Sequence, residues 1–345
     1  MKKTLAVALG ATLLAGAVTA QAAIISGAGA TAPAPIYQKW AEAYHAKTGV
    51  GLNYQGIGSG GGIKQIEAKT VDFGASDKPL PAAELNKFGL LQFPTVIVGI
   101  APVVNVPGVA AGQLHLTGPV LADIYLGEIK RWSDPRIANL NKGVRLPNLP
   151  ITVVHRADGS GTTFLYTSYL KAVSPAWGKV GASDSVAWPV GQGGKGNDGV
   201  AAFVKQTPGS IGYVEYAYAK NNNLAYVDMA DREGHFIAPN EQSFSAAAAH
   251  ADWRGAEGFA PSLLDQPGAN AWPIAGATFI LVYKVPSDPA TTAGVLKFFD
   301  WSYVNGDGMA NELAYVPLPG SVKALIREAW AAEIKVGGKP VYAAH

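Results

Sequence analysis

Three times in 345 residues a glycine-rich, hydroxyl-bearing stretch runs straight into a helical pattern. The stretches are Gly27-Ala28-Gly29-Ala30-Thr31, then Gly56-Ile57-Gly58-Ser59-Gly60-Gly61-Gly62, then Asp158-Gly159-Ser160-Gly161-Thr162-Thr163. A helix amino terminus has unpaired N–H groups and a partial positive charge. Glycines let that backbone come close to a ligand, and Ser or Thr adds a hydroxyl donor. The combination is an anion site that needs no net charge. Ordinary N-capping by Ser or Thr explains any single loop equally well. Three of them in one chain shift the balance toward an oxyanion.

Such loops need a strand before them and a helix after, and the rest of the chain supplies both. Short β-branched or aromatic runs at 51–54, 96–106, 151–155, 211–214 and 278–284 predict strands. Helical patterns fall at 35–47, 62–69, 163–172, 199–205, 293–305 and 322–334; in the first, Ile36, Trp40 and Tyr44 form an apolar stripe at i, i+4, i+8. Strands alternating with helices argue for an α/β fold with parallel pairing. No repeat of fixed period and no disordered linker divides the chain, so a second domain must be inserted or share strands.

Composition narrows the class. With 48% hydrophobic and 15% charged residues, the chain can build two ordinary cores. Its net charge of +2 is too small for a general nucleic-acid or membrane-surface binder. Residues 1–22 read as a secretory signal peptide: Lys2 and Lys3, an apolar run from Thr4 to Val18, and the small-x-small site Ala20-Gln21-Ala22. The run is short of the roughly 20 residues that span a bilayer. Removing Lys2 and Lys3 leaves 25 basic against 25 acidic residues, a neutral mature chain. With no cysteine there is no disulfide, no thiolate metal site and no lipid-attachment thiol. The expectation is a soluble, exported protein of the periplasm, cleaved before Ala23.

Several motifs are decoys. Gly56-x-Gly58-x-x-Gly61, with Asp77 beyond it, formally matches a dinucleotide fingerprint. That motif is common in glycine-rich sequence, and an exported protein meets little nicotinamide cofactor. Ile57 and Asp158 stand where a nucleophile elbow needs glycine before Ser59 and Ser160. The six histidines form no i, i+3 or i, i+4 pair, so no zinc site is expected. The segment from His155 to Thr162 is richer. Arg156 offers a planar fork of donors for an oxyanion, and Asp158 can hold that fork in one orientation. Asp77 is the odd group: a carboxylate beside an anion repels it unless the anion carries a proton. Phosphate does near neutral pH and sulfate does not, so Asp77 would act as a filter. The Gly191–Gly199 stretch also precedes a helix, with Asn197 read as an N-cap and Lys195 as a possible anion contact.

The segments Gly27 to Thr31, Asn53 to Ser59, Val71 to Asp77, Arg156 to Thr162 and Gly212 to Tyr218 resemble the periplasmic phosphate-binding proteins of phosphate-specific ABC transporters, with the resemblance running from about Ile25 to Tyr342. The resemblance implies a two-lobed, type II-like periplasmic-binding-protein fold with phosphate in the cleft between lobes joined by strand crossovers. It implies that Thr31, Ser59 and the main-chain N–H of Ala32 bind phosphate from the first lobe, with Asp77 accepting the phosphate proton. Arg156, Ser160, Gly161 and Thr162 would bind from the second, with Asp158 as partner of Arg156. Ala32 departs from the family, which commonly has Phe there. Lobe 1 is expected at 23–99 plus 275–345, with 100–274 inserted as lobe 2. The implied role is capture of inorganic phosphate for a membrane permease by a monomer, without catalysis, cofactor, metal or nucleic acid. An exported phosphomonoesterase, or a receptor for sulfate or molybdate, is the alternative.

Overall fold

A computed structural model describes residues 24–343; the signal-peptide segment 1–22 and its cleavage site lie outside them. The chain opens with β1 (Ile24–Gly29), α1 (Ala34–Thr48), β2 (Gly51–Gly56), α2 (Ser59–Glu67), β3 (Phe73–Ser76), α3 (Ala82–Phe88) and β4 (Leu90–Asn105). Next come β5 (Leu114–Leu116), α4 (Gly118–Tyr125), α5 (Pro135–Ala138), β6 (Thr152–Arg156), α6 (Gly161–Val173), β7 (Gln192–Gly194), α7 (Gly196–Gln206) and β8 (Ser210–Glu215). The remainder holds α8 (Tyr216–Asn221), β9 (Ala225–Ala230), β10 (Phe236–Ile237), α9 (Glu241–Ala248), β11 (Ala275–Tyr283), α10 (Pro289–Asn305), α11 (Asp307–Glu312), β12 (Val316–Pro317) and α12 (Gly320–Glu333).

One sheet runs through the molecule in the order β2-β1-β3-β11-β4-β8-β6-β7, with β5, β9, β10 and β12 as side branches. The outer pairs β1–β2, β1–β3, β6–β8 and β6–β7 are parallel, as strand–helix alternation predicts. The middle differs: β11 is antiparallel to both β3 and β4, and β4 is antiparallel to β8. The cause is β4, whose 16 residues are nearly all buried. It pairs with β11 from Leu90 to Gly99 and with β8 from Ile100 to Asn105, so it passes from one half of the sheet into the other. Burial on both faces explains its largely apolar sequence, in which Gln92 and Thr95 are the buried polar exceptions.

This strand begins six residues before the stretch predicted from sequence. Pro94 sits beside a register break: Phe279 faces Pro94 and Thr278 faces Val96, so Thr95 is the extra residue of a bulge. A bulge is where a sheet accepts a proline. On the flanks, α1 buries Ile36, Tyr37, Trp40 and Tyr44, and it stops at Gly49 in the left-handed conformation. Helices α2 and α7 pack on the parallel strands of the first and second halves.

Candidate functional site

In parallel α/β sheets ligands bind beyond the carboxyl ends of the strands. Here β1 leads to Thr31, β3 to Asp77, and β6 ends at Arg156. The amino termini of α2 and α6 meet over this edge, one from each half. Gly161 N–H donates to Ser59 Oγ at 3.0 Å, and Gly60 N–H donates to the Gly159 carbonyl at 2.9 Å. Glycine is needed at both approaches. A side chain at Gly58, whose φ is 89°, would run into the Asp158 carboxylate, and a Cβ at Gly161 would lie 2.6 Å from the Asp77 Cβ.

The predicted residues come together here: Thr31, Ala32, Ser59, Asp77, Arg156, Ser160 and Thr162 are each at most 5% exposed. What matters is the direction of their hydrogen bonds. Ser59 Oγ accepts from Gly161 N–H and from Asp77 N–H at 3.2 Å. Ser160 is the N-cap of α6, its Oγ accepting from Thr163 N–H at 3.0 Å. Thr31 Oγ1 accepts from the side chain of Asn197 at 2.7 Å and its backbone N–H at 3.3 Å. Thr162 Oγ1 faces Arg156 Nη1 and Asn197 Nδ2, each at 3.5 Å. A hydroxyl has two lone pairs and one proton. Protein donors cover both lone pairs of Thr31 and Ser59 and one of Ser160, and none of these hydroxyls has a protein acceptor among the described residues, so their O–H protons remain to be given away. The buried N–H of Ala32 has no protein acceptor among the described residues, and the Ala32 carbonyl accepts from Tyr315. The cluster is an array of donors.

Arg156 is held from two sides. Its Nε and Nη2 donate to the two oxygens of Asp158 at 2.8 and 2.5 Å, which leaves Nη1 on the side of Thr162. Its own backbone N–H donates to Tyr213 Oη, which also bonds Thr163 Oγ1. Burial pushes the Asp158 carboxyl up, but the bonds and charge of Arg156 outweigh that and hold it below the usual carboxylate range. Asp77 is the opposite case. Burial pushes it up to about 6, against the lowering effects of the Thr278 hydrogen bond and the Arg156 charge. Thr278 Oγ1 donates to Asp77 Oδ1 at 2.6 Å, and Oδ2 has no protein donor among the described residues. Asp158 is committed to Arg156 through both oxygens, so Asp77 is the carboxylate of this cluster with an oxygen left uncommitted among the described residues.

Two features escaped the sequence. Asn197 is not the cap of its helix: the N-cap of α7 is Lys195, and Asn197 lies inside the first turn, fully buried, bonded to Thr31. The N-cap reading is corrected, because the helix starts at Gly196, three residues before the predicted start. Likewise α2 starts at Ser59 rather than Gly62, which puts Ser59 in the helix's first turn. Glycines argue against helix when read alone, so local propensity does not reveal that these helices begin upstream of Gly62 and Gly199. Thr278 lies some 200 residues from Asp77, and only the β3–β11 pairing brings them together. No local signal reveals it.

A sheet of two halves with a buried donor array between their loops defines a ligand-binding protein of the periplasmic-binding-protein class. A family model described as the PBP superfamily domain matches residues 16–305. The chain is 54% identical over 320 residues to the phosphate-binding protein PstS of Pasteurella multocida, covering 92% of this chain and 93% of that one. It is 52% identical to the PstS protein of Haemophilus influenzae over 92% and 95% of the two chains. In structure it is similar to a high-affinity periplasmic phosphate-binding protein, PfluDING, solved with bound phosphate: TM-score 0.72, 23% identity, 92% and 97% coverage. The chain belongs to the PBP superfamily and, within it, to the family of the PstS phosphate-binding proteins. Its fold is the mixed α/β two-lobed fold of periplasmic binding proteins.

Proposed function

We propose that this chain is a periplasmic receptor that captures inorganic phosphate between its two lobes and delivers it to the permease of an ABC importer. The observation that carries this is the donor array around the Asp77 carboxylate, whose Oδ2 has no protein donor among the described residues. Thr31, Ser59, Ser160 and Thr162 present hydroxyl protons, Ala32 a main-chain N–H, and Arg156 the formal positive charge. The N-termini of α2 and α6 add their partial charge. Asp77 Oδ2 accepts the proton that phosphate carries near neutral pH. The relatives named as phosphate-binding proteins support the same ligand.

The lobes in this reading are 23–99 with 275–345, and 100–274. The change of partner along β4 between Gly99 and Ile100, and the start of β11 at Ala275, support those limits. Thr31, Ser59 and Asp77 then belong to one lobe, and Arg156 to Thr162 to the other. The binding set is complete only when the lobes close, a hinge motion of known kind. The protein works as a monomer after cleavage of residues 1–22. Among the described residues no helix is long and apolar enough to cross a membrane.

The deciding experiment is calorimetry of the purified mature protein with phosphate, sulfate and a phosphomonoester, plus a turnover assay on the ester. Tight phosphate binding without turnover is expected. Hydrolysis of the ester, or preference for sulfate, would refute the proposal. Small-angle scattering checks the motion: phosphate should reduce the radius of gyration, and an equal radius in both states would remove lobe closure from the mechanism.

A further inference from the structure

Asn197 belongs to none of the three glycine-rich loops, yet it is fully buried and joins both halves of the sheet. Its orientation is not arbitrary. Glu215 N–H, a backbone donor at the end of β8, points at Asn197 Oδ1 from 2.9 Å, so the amide oxygen must face Glu215. The amide nitrogen therefore faces Thr31 Oγ1 at 2.7 Å, and Thr162 Oγ1 at 3.5 Å. Asn197 N–H approaches the same Thr31 oxygen at 3.3 Å. Both lone pairs of the Thr31 hydroxyl are thus covered by one residue of α7, and only its proton is left. The Thr31 carbonyl is also engaged, by Tyr218 Oη at 2.7 Å.

We infer that Asn197 is a positioning residue that turns the Thr31 hydroxyl into an obligatory donor toward the bound anion, and does so only when the two lobes have come together. In the open protein Thr31 would be free to rotate its hydroxyl or give its proton to water. On closure the Asn197 amide removes that freedom, so closure and ligand recognition are coupled through one side chain. Asn197 acts through Thr31 rather than by touching the anion. This inference rests on the phosphate-receptor reading above.

The test is a set of phosphate titrations at pH 7 on wild type, Asn197→Ala, Asn197→Asp, Thr31→Val, Thr31→Ser and the double variant Thr31→Val/Asn197→Ala. Asn197→Asp keeps the shape and the acceptor for Glu215 N–H but, when ionised, cannot donate to Thr31. It serves if Asn197→Ala does not fold. Both Asn197 variants should weaken phosphate binding about tenfold, and Thr31→Val by a similar factor. The double variant should bind no more weakly than Thr31→Val alone, because the partner through which Asn197 acts is gone. Thr31→Ser, which keeps the hydroxyl, should keep near-native affinity. A merely structural role would lower affinity equally in the Thr31→Val background, and that additivity would overturn the inference. So would unchanged binding in both Asn197 variants. Wild type that fails to bind phosphate would overturn the receptor reading instead, and the inference with it.

Discussion

The two halves of the sheet meet the same edge with different chemistry. The half containing β1 to β3 contributes Thr31 and Ser59 hydroxyls and one buried carboxylate, Asp77, but no cation. The half containing β6 to β8 contributes a neutralised but directed guanidinium, Arg156 clamped by Asp158, and the α6 terminus. In the proposed reading the half with Arg156 attracts any tetrahedral anion, and the half with Asp77 tells a protonated one from a fully ionised one. Strength and selectivity are therefore separable by mutation, because different halves hold them.

The largest effect falls on the attracting half. Arg156→Ala should cost about 2–5 kcal/mol of phosphate affinity, the range for truncating one member of a buried charge pair. It also leaves Asp158 unpaired beside the anion. Titration calorimetry measures this, and a loss smaller than threefold would place the site elsewhere.

Next comes the pH dependence of the discriminating half in the ligand-free protein. The Asp77 carboxyl is raised to about 6 by burial, above its unfolded value. The native state then holds the proton more readily than the unfolded state. The associated stability is fully present below the unfolded value near 4 and is lost as pH rises through about 6. The difference between the folded and unfolded values corresponds to about 3 kcal/mol. Thermal melts of wild type and Asp77→Asn from pH 4 to 7 should diverge over that window, the variant gaining relative to wild type as pH rises. Parallel curves would show that Asp77 titrates normally.

The same substitution tests selectivity. Ionised Asp77 and ionised sulfate would place two acceptors face to face in a dry site, a mismatch of the kind that leaves buried polar groups unpaired. Asp77→Asn offers an N–H instead. It should narrow the phosphate-over-sulfate preference at least tenfold, mainly by admitting sulfate. Side-by-side affinities at pH 7 give the ratio, and an unchanged ratio would assign discrimination to another residue.

The smallest effect belongs to a contact between the halves outside the donor array. Lys78 Nζ lies 3.1 Å from Asp184 Oδ1, with both side chains roughly a quarter exposed. Such pairs contribute about 0.2–1 kcal/mol. Lys78→Met should weaken phosphate binding by no more than a few fold, and the deficit should shrink as salt is raised. A loss rivalling that of Arg156→Ala would mean that this pair, not the donor array, holds the lobes together.

Much of this site was legible in the chain itself. The loops bearing Thr31, Ser59 and Ser160 could be read because each packs its chemistry into a few consecutive residues, and a helix terminus is a local object. The pairing of Arg156 with Asp158 two residues on was readable for the same reason. Asn197 was visible but misassigned. A side chain that could cap its own helix gives no sign that its partner lies 166 residues away.

What the sequence alone determined was therefore local: strand–helix alternation, the glycine-rich helix starts, and the donor types each loop would offer. The tertiary structure decided everything that depends on two distant segments touching. Thr278 reaches Asp77 only because β11 runs antiparallel to β3, and Asn197 reaches Thr31 only because the two halves of one sheet face each other across β4. The raised Asp77 carboxyl belongs to the same group, since burial is a property of the packed molecule and not of any stretch of chain. Donor chemistry is written residue by residue. Which lone pair each donor covers, and hence which proton is left for the anion, is settled by packing.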